Sequence, residues 1–455
     1  MPYIVPAAPV AFRAPSFSPR ELQDRLDDLA RTHRVPGAQL ALYTGSEVIA
    51  VHTGTADVTT GRPFTADTAV PLGSLTKPFT AALVMLLADD GDLDLDEPAA
   101  EYLAELADTP QVTARQLLSH TGGLPTGPDS DTAAATTPAR YLTAVCTARD
   151  LLFTPGADFS YSNAGYVAAG RLVETVTGMP WPEAVRTLLL EPLGVLPAFV
   201  ADAAPVRPVA AGHAVNTATG QAVAARQNLA PLEAPAGALL ASALDLVAFG
   251  NALTGRSDLL PPAVAKEMRR AETAADPGTL ADGWGAGLAL YQRDGRVWCG
   301  HDGNAQGTSC HLRADPESGV VVAFTGNAGG ATALWRDLAE DLAPLTGVRI
   351  PADALAADVL TADRGLPVGL PDCAGTYRNG ATTYRVAPGP DGTPALSIDG
   401  DLPLPLVCYA DLSCDLRDPA TGRVEPGGRF HRDPATGTID RMQISGRTAR
   451  RADDG

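Results

Sequence analysis

The chain has 455 residues and a formal net charge of −19, from 34 basic and 53 acidic side chains. This acidic balance argues against nucleic acid or an anionic membrane surface as the main partner. A hydrophobic content of 45% is typical of a folded protein rather than a disordered one. Lys77 and Lys266 are the only lysines among the basic residues. Because arginine is used almost everywhere else, each lysine needs an explanation.

The first part of the chain alternates helical and strand patterns. Ser18 and Pro19 supply an N-cap and a first-turn proline for a helix. The apolar spacing then predicts a helix, two strands and a second helix in that order. Their predicted bounds are 21–33, 38–43, 48–51 and 74–88.

Four consecutive antiparallel strands are predicted later in the chain, at 287–292, 296–300, 307–313 and 320–325. Helices packed on an antiparallel sheet, with strands from both ends of the sequence, indicate an α+β fold. After about residue 350 the helical periodicity stops, and short strand patterns alternate with turns. This change predicts a small lipocalin-like all-β barrel. We expect a catalytic domain at 1–350 and a barrel domain at 366–455.

The six cysteines show neither paired spacing nor a metal-ligand pattern. We expect them to be scattered core thiols, although Cys299 and Cys310 facing each other on neighbouring strands is an alternative. The N-terminus lacks the positive start and continuous apolar run of a signal peptide, and no apolar run is long enough to span a membrane. These features predict a cytoplasmic protein without a metal or other cofactor.

A candidate nucleophile opens the second predicted helix. Ser74 and Lys77 are three residues apart, so on a helix they share one face, one turn apart. The helix N-terminus favours negative charge developing on the serine, and a desolvated lysine can act as a neutral base. The alternative is a surface helix with an ordinary lysine. The apolar residues that follow Lys77 argue against that alternative.

Two further motifs carry polar side chains at the ends of predicted elements. Tyr161 and Asn163 precede a predicted helix at 164–176; Tyr161 can relay a proton and Asn163 can bind a substrate amide. Alternatively, Asn163 is only the helix N-cap and Tyr161 is core. His301 and Gly303 end a predicted strand, and the glycine would let an acyl group approach the backbone.

Two other residues complete the predicted site. The backbone N–H of Asn304 is expected to pair with that of Ser74 as an oxyanion hole. Trp284 is a candidate wall of the cleft, with core packing as the alternative. A structural rather than catalytic role is also the alternative for His301, which on its own is a lone histidine in a turn.

Together these motifs resemble the serine β-lactamase-like and penicillin-binding-protein-like superfamily, in the branch of class C β-lactamases, D-stereospecific peptidases and esterases. That branch carries SxxK, YxN and a K/H-x-G triplet. The chain adds LLSHTGGLP at 117–125, FSYSNAGY at 159–166 and AGALLASALDL at 236–246. The resemblance extends over about residues 20–345. It implies an acyl-enzyme on Ser74, proton transfer by Lys77 and Tyr161, and substrate contact by Asn163.

Within that superfamily the chain looks most similar to penicillin-binding-protein-type thioesterases, which release and macrocyclise non-ribosomal peptides. The implied partner is a peptidyl thioester on a carrier protein, or a small acyl or peptide substrate, with no nucleic acid or membrane partner. Two departures weaken a β-lactamase hypothesis: a titratable histidine replaces the usual lysine of the third motif, and no secretory signal is predicted. The alternatives are a cytoplasmic esterase or D-peptidase and, less favoured, a β-lactamase or a silent acyl-binding protein.

The C-terminal arginines are the remaining candidates for substrate contact. Arg447 and Arg450 lie on the last predicted strand, where either could clamp a carboxylate or a peptide end. The alternative is a solvated edge strand.

Overall fold

The computed structural model describes residues 18–216, 218–353, 364–389, 392–417, 422 and 424–452. Most of the N-terminal segment in which we predicted no secretory signal therefore lies outside the described residues. Within them, no helix is both long and apolar enough to cross a bilayer.

The larger sheet contains eight antiparallel strands in the order β3-β2-β1-β12-β11-β10-β9-β8. β1 pairs with β12, so strands from the two ends of this region meet at the centre of the sheet. The bounds are β1 Gly37–Tyr43, β2 Val48–Asp57, β3 Arg62–Pro63, β8 Gly283–Trp284, β9 Ala289–Arg293, β10 Arg296–Gly303, β11 Ser309–Ala314 and β12 Val321–Gly326. Two short ribbons accompany it: β4 Val70–Pro71 with β7 Leu240–Ala241, and β5 Gly212–Val215 with β6 Ala222–Ala225.

Helices cover both faces of this sheet, and alternate side chains of its central strands enter two separate cores. Leu40 and Leu42 pack with helices α1 and α11, whereas Ala41 points to the core built around α2, α6 and α9. The helix bounds are α1 Pro19–Thr32, α2 Lys77–Asp89, α3 Ala114–Leu118, α4 Ser130–Ala134, α5 Pro138–Val145, α6 Asn163–Thr177, α7 Trp181–Val185, α8 Ala234–Gly237, α9 Ala243–Leu253, α10 Pro262–Met268 and α11 Ala331–Thr346.

Glycine and proline explain where the observed elements depart from the predicted bounds. The helix predicted from Ser74 is instead a 3-10 turn, Gly73–Thr76, followed by α2 from Lys77. Pro78 has no N–H with which to extend an α-helical ladder back to Ser74, but it fits the first turn of a new helix. Gly287 and Gly307 have φ of 74° and 71°, so β9 and β11 begin two residues later than predicted.

The C-terminal region is a closed eight-stranded barrel, which confirms the predicted α+β fold with an all-β barrel. Its strands are β13 Gly375–Asn379, β14 Thr382–Pro388, β15 Pro394–Ile398, β16 Leu404–Cys408, β17 Ser413–Arg417, β18 Val424–Arg432, β19 Ile439–Ile444 and β20 Arg447–Arg451. β20 pairs with both β19 and β13, so the alternative of an edge strand was wrong. All six cysteines are free and buried, and the register pairs Cys299 with Ala314 and Cys310 with Gly303, not with each other.

Candidate active site

Ser74 and Lys77 are in direct contact. Lys77 Nζ donates to Ser74 Oγ at 3.1 Å and to the Ala236 carbonyl oxygen at 3.0 Å. The rings of Tyr161 and Tyr166 lie 4.9 and 5.5 Å from the same nitrogen. The lysine side chain is therefore fixed by one carbonyl and two aromatic faces and directs its nitrogen at the serine hydroxyl.

The surroundings of Lys77 favour its neutral form. The residue is 1% exposed, and burial holds its pKa well below the ordinary value of 10.5; the nearby Arg447 lowers it further, while Glu233 opposes the shift. No salt bridge involves Lys77 within the described residues. A neutral amine at hydrogen-bond distance can accept the proton of Ser74, whereas an ammonium cannot.

Tyr161 is positioned by the barrel. Its backbone N–H donates to the carbonyl of Gly446, in the turn between β19 and β20, at 2.9 Å. Burial raises the pKa of the phenol, and the Ser74 hydroxyl only partly offsets that effect. The hydroxyl has no hydrogen-bond partner among the described residues. A protonated phenol with no fixed partner beside Ser74 is suited to donating to a reacting oxygen.

His301 differs from our expectation of a group that titrates near neutrality. Its Nδ1 lies 2.5 Å from the Asp302 carbonyl oxygen, which can only accept, so Nδ1 carries the proton. Burial is the main cause that lowers the pKa of His301, to about 4. The imidazole is therefore neutral at pH 7. Its Nε2 is a bare acceptor with no partner in the described parts of the chain.

An ion-pair network with a buried arginine holds the backbone to which His301 is bonded. Asp302 accepts from Arg313 at 2.6 Å and from His311 at 2.8 Å. The charge of Arg313 and the contact with His311 keep the pKa of Asp302 well below its usual range. Fixing this residue also fixes the carbonyl that orients the His301 ring.

The glycines near Ser74 serve close backbone packing. A Cβ on Gly303 would overlap the Leu72 carbonyl oxygen and the Leu75 backbone nitrogen. Our expectation that Gly303 admits an acyl group was therefore wrong, because the serine turn already occupies that space. Gly73, with φ of 54°, packs against the backbone of Asn304 in the same way. This contact places the backbones of Ser74 and Asn304 at one cavity, as the predicted oxyanion hole requires.

Ser162, rather than Asn163, caps helix α6. The Ser162 hydroxyl accepts the Gly165 N–H at 3.0 Å, so the alternative that Asn163 is only an N-cap was wrong. Asn163 is the first helical residue and borders the cavity beside Ser74. Its Oδ1 has no hydrogen-bond partner within the described ranges, which leaves it available to a substrate N–H.

Trp284 packs behind the catalytic side chains. The residue is buried, and its ring lies 5.3 Å from His301 and 5.8 Å from Tyr161 between ring centroids. It does not border the cavity beside Ser74. The core-packing alternative therefore describes it better than the predicted cleft wall.

The two C-terminal arginines occupy different places. The Arg447 guanidinium lies 5.2 Å from the centre of the Tyr161 ring, and its Nε donates to the Thr126 hydroxyl at 3.3 Å. Arg450 is exposed and reaches the Leu151 carbonyl instead. The structure brings Arg447 to the site and leaves the other predicted candidate, Arg450, outside it.

Sequence reasoning missed two residues at the site. His120, within the LLSHTGGLP motif, accepts the Ser162 N–H on Nδ1 at 3.0 Å and packs its ring 4.2 Å from Tyr161. Its φ of 60° is rare for a non-glycine residue and was a feature no pattern reveals. Glu233 is buried and borders the same cavity as Ser74. A lone glutamate in an apolar stretch, LEAPAG, was its only sequence signal.

The assembled site combines a hydroxyl nucleophile, a buried amine whose pKa is lowered, a protonated phenol and a neutral imidazole. Of these four groups, Ser74 borders a cavity of about 310 Å³ that also reaches Asn163 and Asn304. In the described part of the chain, no three His, Cys, Asp or Glu side chains are placed to hold a metal ion. The arrangement is suited to acyl transfer through an ester on Ser74.

Comparison with known proteins agrees with this chemistry. The family model described as Beta-lactamase matches residues 22–343. The chain belongs to the β-lactamase family. This confirms the resemblance drawn from the SxxK, YxN and HxG motifs, and the family match ends before the barrel begins.

Individual relatives in this family extend the similarity. Penicillin-binding protein 4 of Amycolatopsis lactamdurans is 35% identical over 359 residues, which cover 74% of this chain and 92% of that protein. A crystal structure of SurE matches with a TM-score of 0.82 at 36% identity, over 95% of this chain and 99% of that one. A structure of SurE with D-Leu matches with a TM-score of 0.79 at 34% identity, over the same shares. The similarity to SurE therefore includes the barrel.

Proposed function

We propose that this β-lactamase-family enzyme is a stand-alone thioesterase that releases a non-ribosomal peptide from its carrier protein and closes it head to tail. The observation that carries the proposal is the barrel hairpin, which delivers Gly446 to the Tyr161 backbone and Arg447 to the Tyr161 ring. The similarity to SurE over nearly the whole of both chains, in one case with D-Leu, supports a D-residue at the acyl end. The enzyme would act in the cytoplasm on a carrier-bound substrate.

In the first half-reaction, neutral Lys77 takes the proton of Ser74, and Oγ attacks the thioester carbonyl carbon. The N–H groups of Ser74 and Asn304 stabilise the negative oxygen. The C–S bond breaks, and the proton passes to the departing sulfur, so the carrier leaves as a thiol. Tyr161, whose pKa is raised by burial, donates to the reacting oxygens without becoming a permanent anion.

In the second half-reaction, the peptide's own amine attacks the ester on Ser74. The N–C bond forms and the C–Oγ bond breaks. The proton lost by nitrogen returns to Oγ through Lys77 or Tyr161, and the enzyme is restored. Arg447 binds a backbone carbonyl near the acyl end, where its charge also helps to keep Lys77 neutral. Arginine is suited to this role because it remains charged throughout.

The decisive experiment is incubation with a synthetic linear peptidyl thioester that ends in a D-residue. We expect a macrocycle together with release of the free thiol. The matched L-residue thioester should react more slowly or not at all. Linear acid as the sole product would overturn cyclisation and leave the alternative of an esterase or D-peptidase, in which water resolves the same ester. The modest cavity beside Ser74 favours that alternative for small acyl groups. If intact-mass analysis detected no adduct on Ser74, both enzyme hypotheses would be wrong.

A further inference from the structure

Glu233 is a buried carboxylate without a cationic partner. It is 5% exposed, and within the described residues no lysine, arginine or histidine forms a salt bridge with it. Buried glutamates are rare unless they are paired, because a desolvated charge is costly. The contacts of its two carboxyl oxygens therefore decide what this residue can bind.

The protein satisfies only one oxygen of this carboxylate. Oε2 accepts from the Ser130 hydroxyl and from the Ala230 N–H at 3.4 Å. Oε1 accepts no hydrogen bond from any described residue. The two anchors hold the side chain in place, while the second oxygen remains available at the cavity that Glu233 shares with Ser74.

The cavity is also electrostatically asymmetric. Arg447 and Glu233 both act on Lys77 and in opposite directions, the first lowering its pKa and the second raising it. Asp131 adds a second carboxylate close to the Glu233 side, where it accepts from the Asn228 amide at 3.0 Å. Asn228 itself borders the cavity. The cavity that Glu233 and Asn228 border therefore favours a cation, whereas Arg447 lies at the Tyr161 ring and outside the lining of this cavity.

We infer that Glu233 binds the ammonium group of the acceptor amine before that amine resolves the acyl-enzyme. This inference rests on the proposed function and names the residue that would select an amine over water. The bound ammonium releases one proton to solvent, and its nitrogen then attacks the ester carbon. The N–C bond forms, the C–Oγ bond breaks, and the second proton that the nitrogen loses goes to Ser74 Oγ. Glu233 is thus a binding residue, not an acid or a base.

The test measures how the acyl-enzyme partitions between aminolysis and hydrolysis. The enzyme is acylated with an N-acetylated D-residue thioester, which carries no amine of its own. One of two acceptors is then added in separate experiments. The first is a D-amino acid amide, which is cationic near neutral pH, and the second is hydroxylamine, which is mostly uncharged there. Products are quantified as amide, hydroxamate and free acid. Adduct on wild-type Ser74 is the check on the proposed function itself.

The informative variant is Glu233→Gln. The glutamine carbonyl can still accept from Ser130 and Ala230, so the local fold is retained while the charge is lost. We expect the aminolysis-to-hydrolysis ratio with the cationic acceptor to fall about 10-fold to 100-fold, as for the loss of a charged hydrogen bond, and the ratio with hydroxylamine to change much less. Glu233→Asp keeps the charge on a shorter side chain, farther from the bound ammonium, and should give an intermediate fall in the aminolysis-to-hydrolysis ratio.

Equal losses for the two acceptors, or no loss for either, would overturn the role of Glu233. Melting temperatures of both variants distinguish loss of binding from loss of folding. Glu101→Gln, at an exposed glutamate remote from the cavity, is the matched control and should leave both ratios unchanged. If the wild-type enzyme forms an adduct that only water resolves, the proposed cyclisation is wrong, and the inference about Glu233 is wrong with it. If amines resolve the wild-type adduct and Glu233→Gln behaves as wild type, only the inference fails.

Discussion

Replacing Lys77 tests the mechanism most directly, since the proposal requires an amine that is neutral at pH 7. Lys77→Arg keeps a basic side chain but introduces a guanidinium whose pKa is above about 12, so it cannot serve as the base. Lys77→Met removes the nitrogen and retains most of the volume. General-base assistance is worth ~10²–10⁴-fold in rate, which corresponds to about 3 to 5 kcal/mol of transition-state stabilisation. We expect both variants to lose acylation by at least this factor.

The two variants should differ in stability. The lysine is 1% exposed and contacts the Ala236 carbonyl and two tyrosine rings. A permanently charged guanidinium in that space is expected to cost several kcal/mol of folding free energy. Lys77→Met leaves the Ala236 carbonyl without its donor but buries no charge, so it should melt above Lys77→Arg. Comparing the two separates the loss of chemistry from the loss of folding.

The assay is the rate of adduct formation on Ser74 with an activated acyl ester, followed by intact mass. Thermal melts are recorded on the same samples. Lys266 is the matched control, because it is the chain's other lysine and is exposed on α10. Lys266→Met should acylate at the wild-type rate. A folded Lys77→Met enzyme that acylated within about tenfold of wild type would refute a lysine base.

Four other predictions test the rest of the site. Gly303→Ala should abolish acylation and lower the melting temperature, because its Cβ overlaps the serine turn, whereas Gly329→Ala, with open space around it, should do neither. Arg447→Met should reduce turnover of the D-residue thioester at least about 10-fold, and Arg450→Met should not. Arg447→Met should also raise the pKa of Lys77 and so move the acid limb of the pH–rate profile of acylation to higher pH. Glu233→Gln should lower the pKa of Lys77 and move that limb to lower pH. His301 has a pKa of about 4 in the folded chain and about 6.5 when unfolded, so between these pH values the native state binds fewer protons than the unfolded state. The free energy of unfolding, measured by melts from pH 4 to 7, should therefore rise with pH by up to about 3 kcal/mol. His301→Asn should reduce that rise.

Local chemistry was predictable where it depends on short spacing. Ser74 and Lys77 lie three residues apart, and a single turn of any helical type brings them together; their contact did not require knowledge of the fold. The barrel was predictable as a change of periodicity. Its closure was not, because the pairing of Arg378 in β13 with Arg450 in β20 joins residues 72 positions apart.

Properties set by burial could not be read from the sequence. The pKa of His301 moved away from neutrality because Trp284 and Tyr161 pack against its ring, and nothing in the triplet around it records that packing. Gly303 was predicted to contact the substrate because its actual neighbour, the turn at Leu72, lies more than 200 residues earlier in the chain, where the sequence does not reveal the contact. Glu233 was overlooked because a glutamate is ordinarily exposed, and only the structure shows it desolvated beside the nucleophile.

The barrel is part of the active site rather than an appended module. Asn379 of β13 accepts the Thr126 N–H at 2.7 Å and donates to the Thr448 carbonyl at 2.8 Å, so one buried amide joins β13, β20 and the loop below the cleft. Thr448 in turn donates its N–H to Ser160, the residue before Tyr161. Buried polar groups joined in this way are costly to separate, because each would lose its partner away from water. If the proposed cyclisation is correct, a barrel held next to Tyr161 should limit the access of water to the acyl-enzyme, as aminolysis in preference to hydrolysis requires.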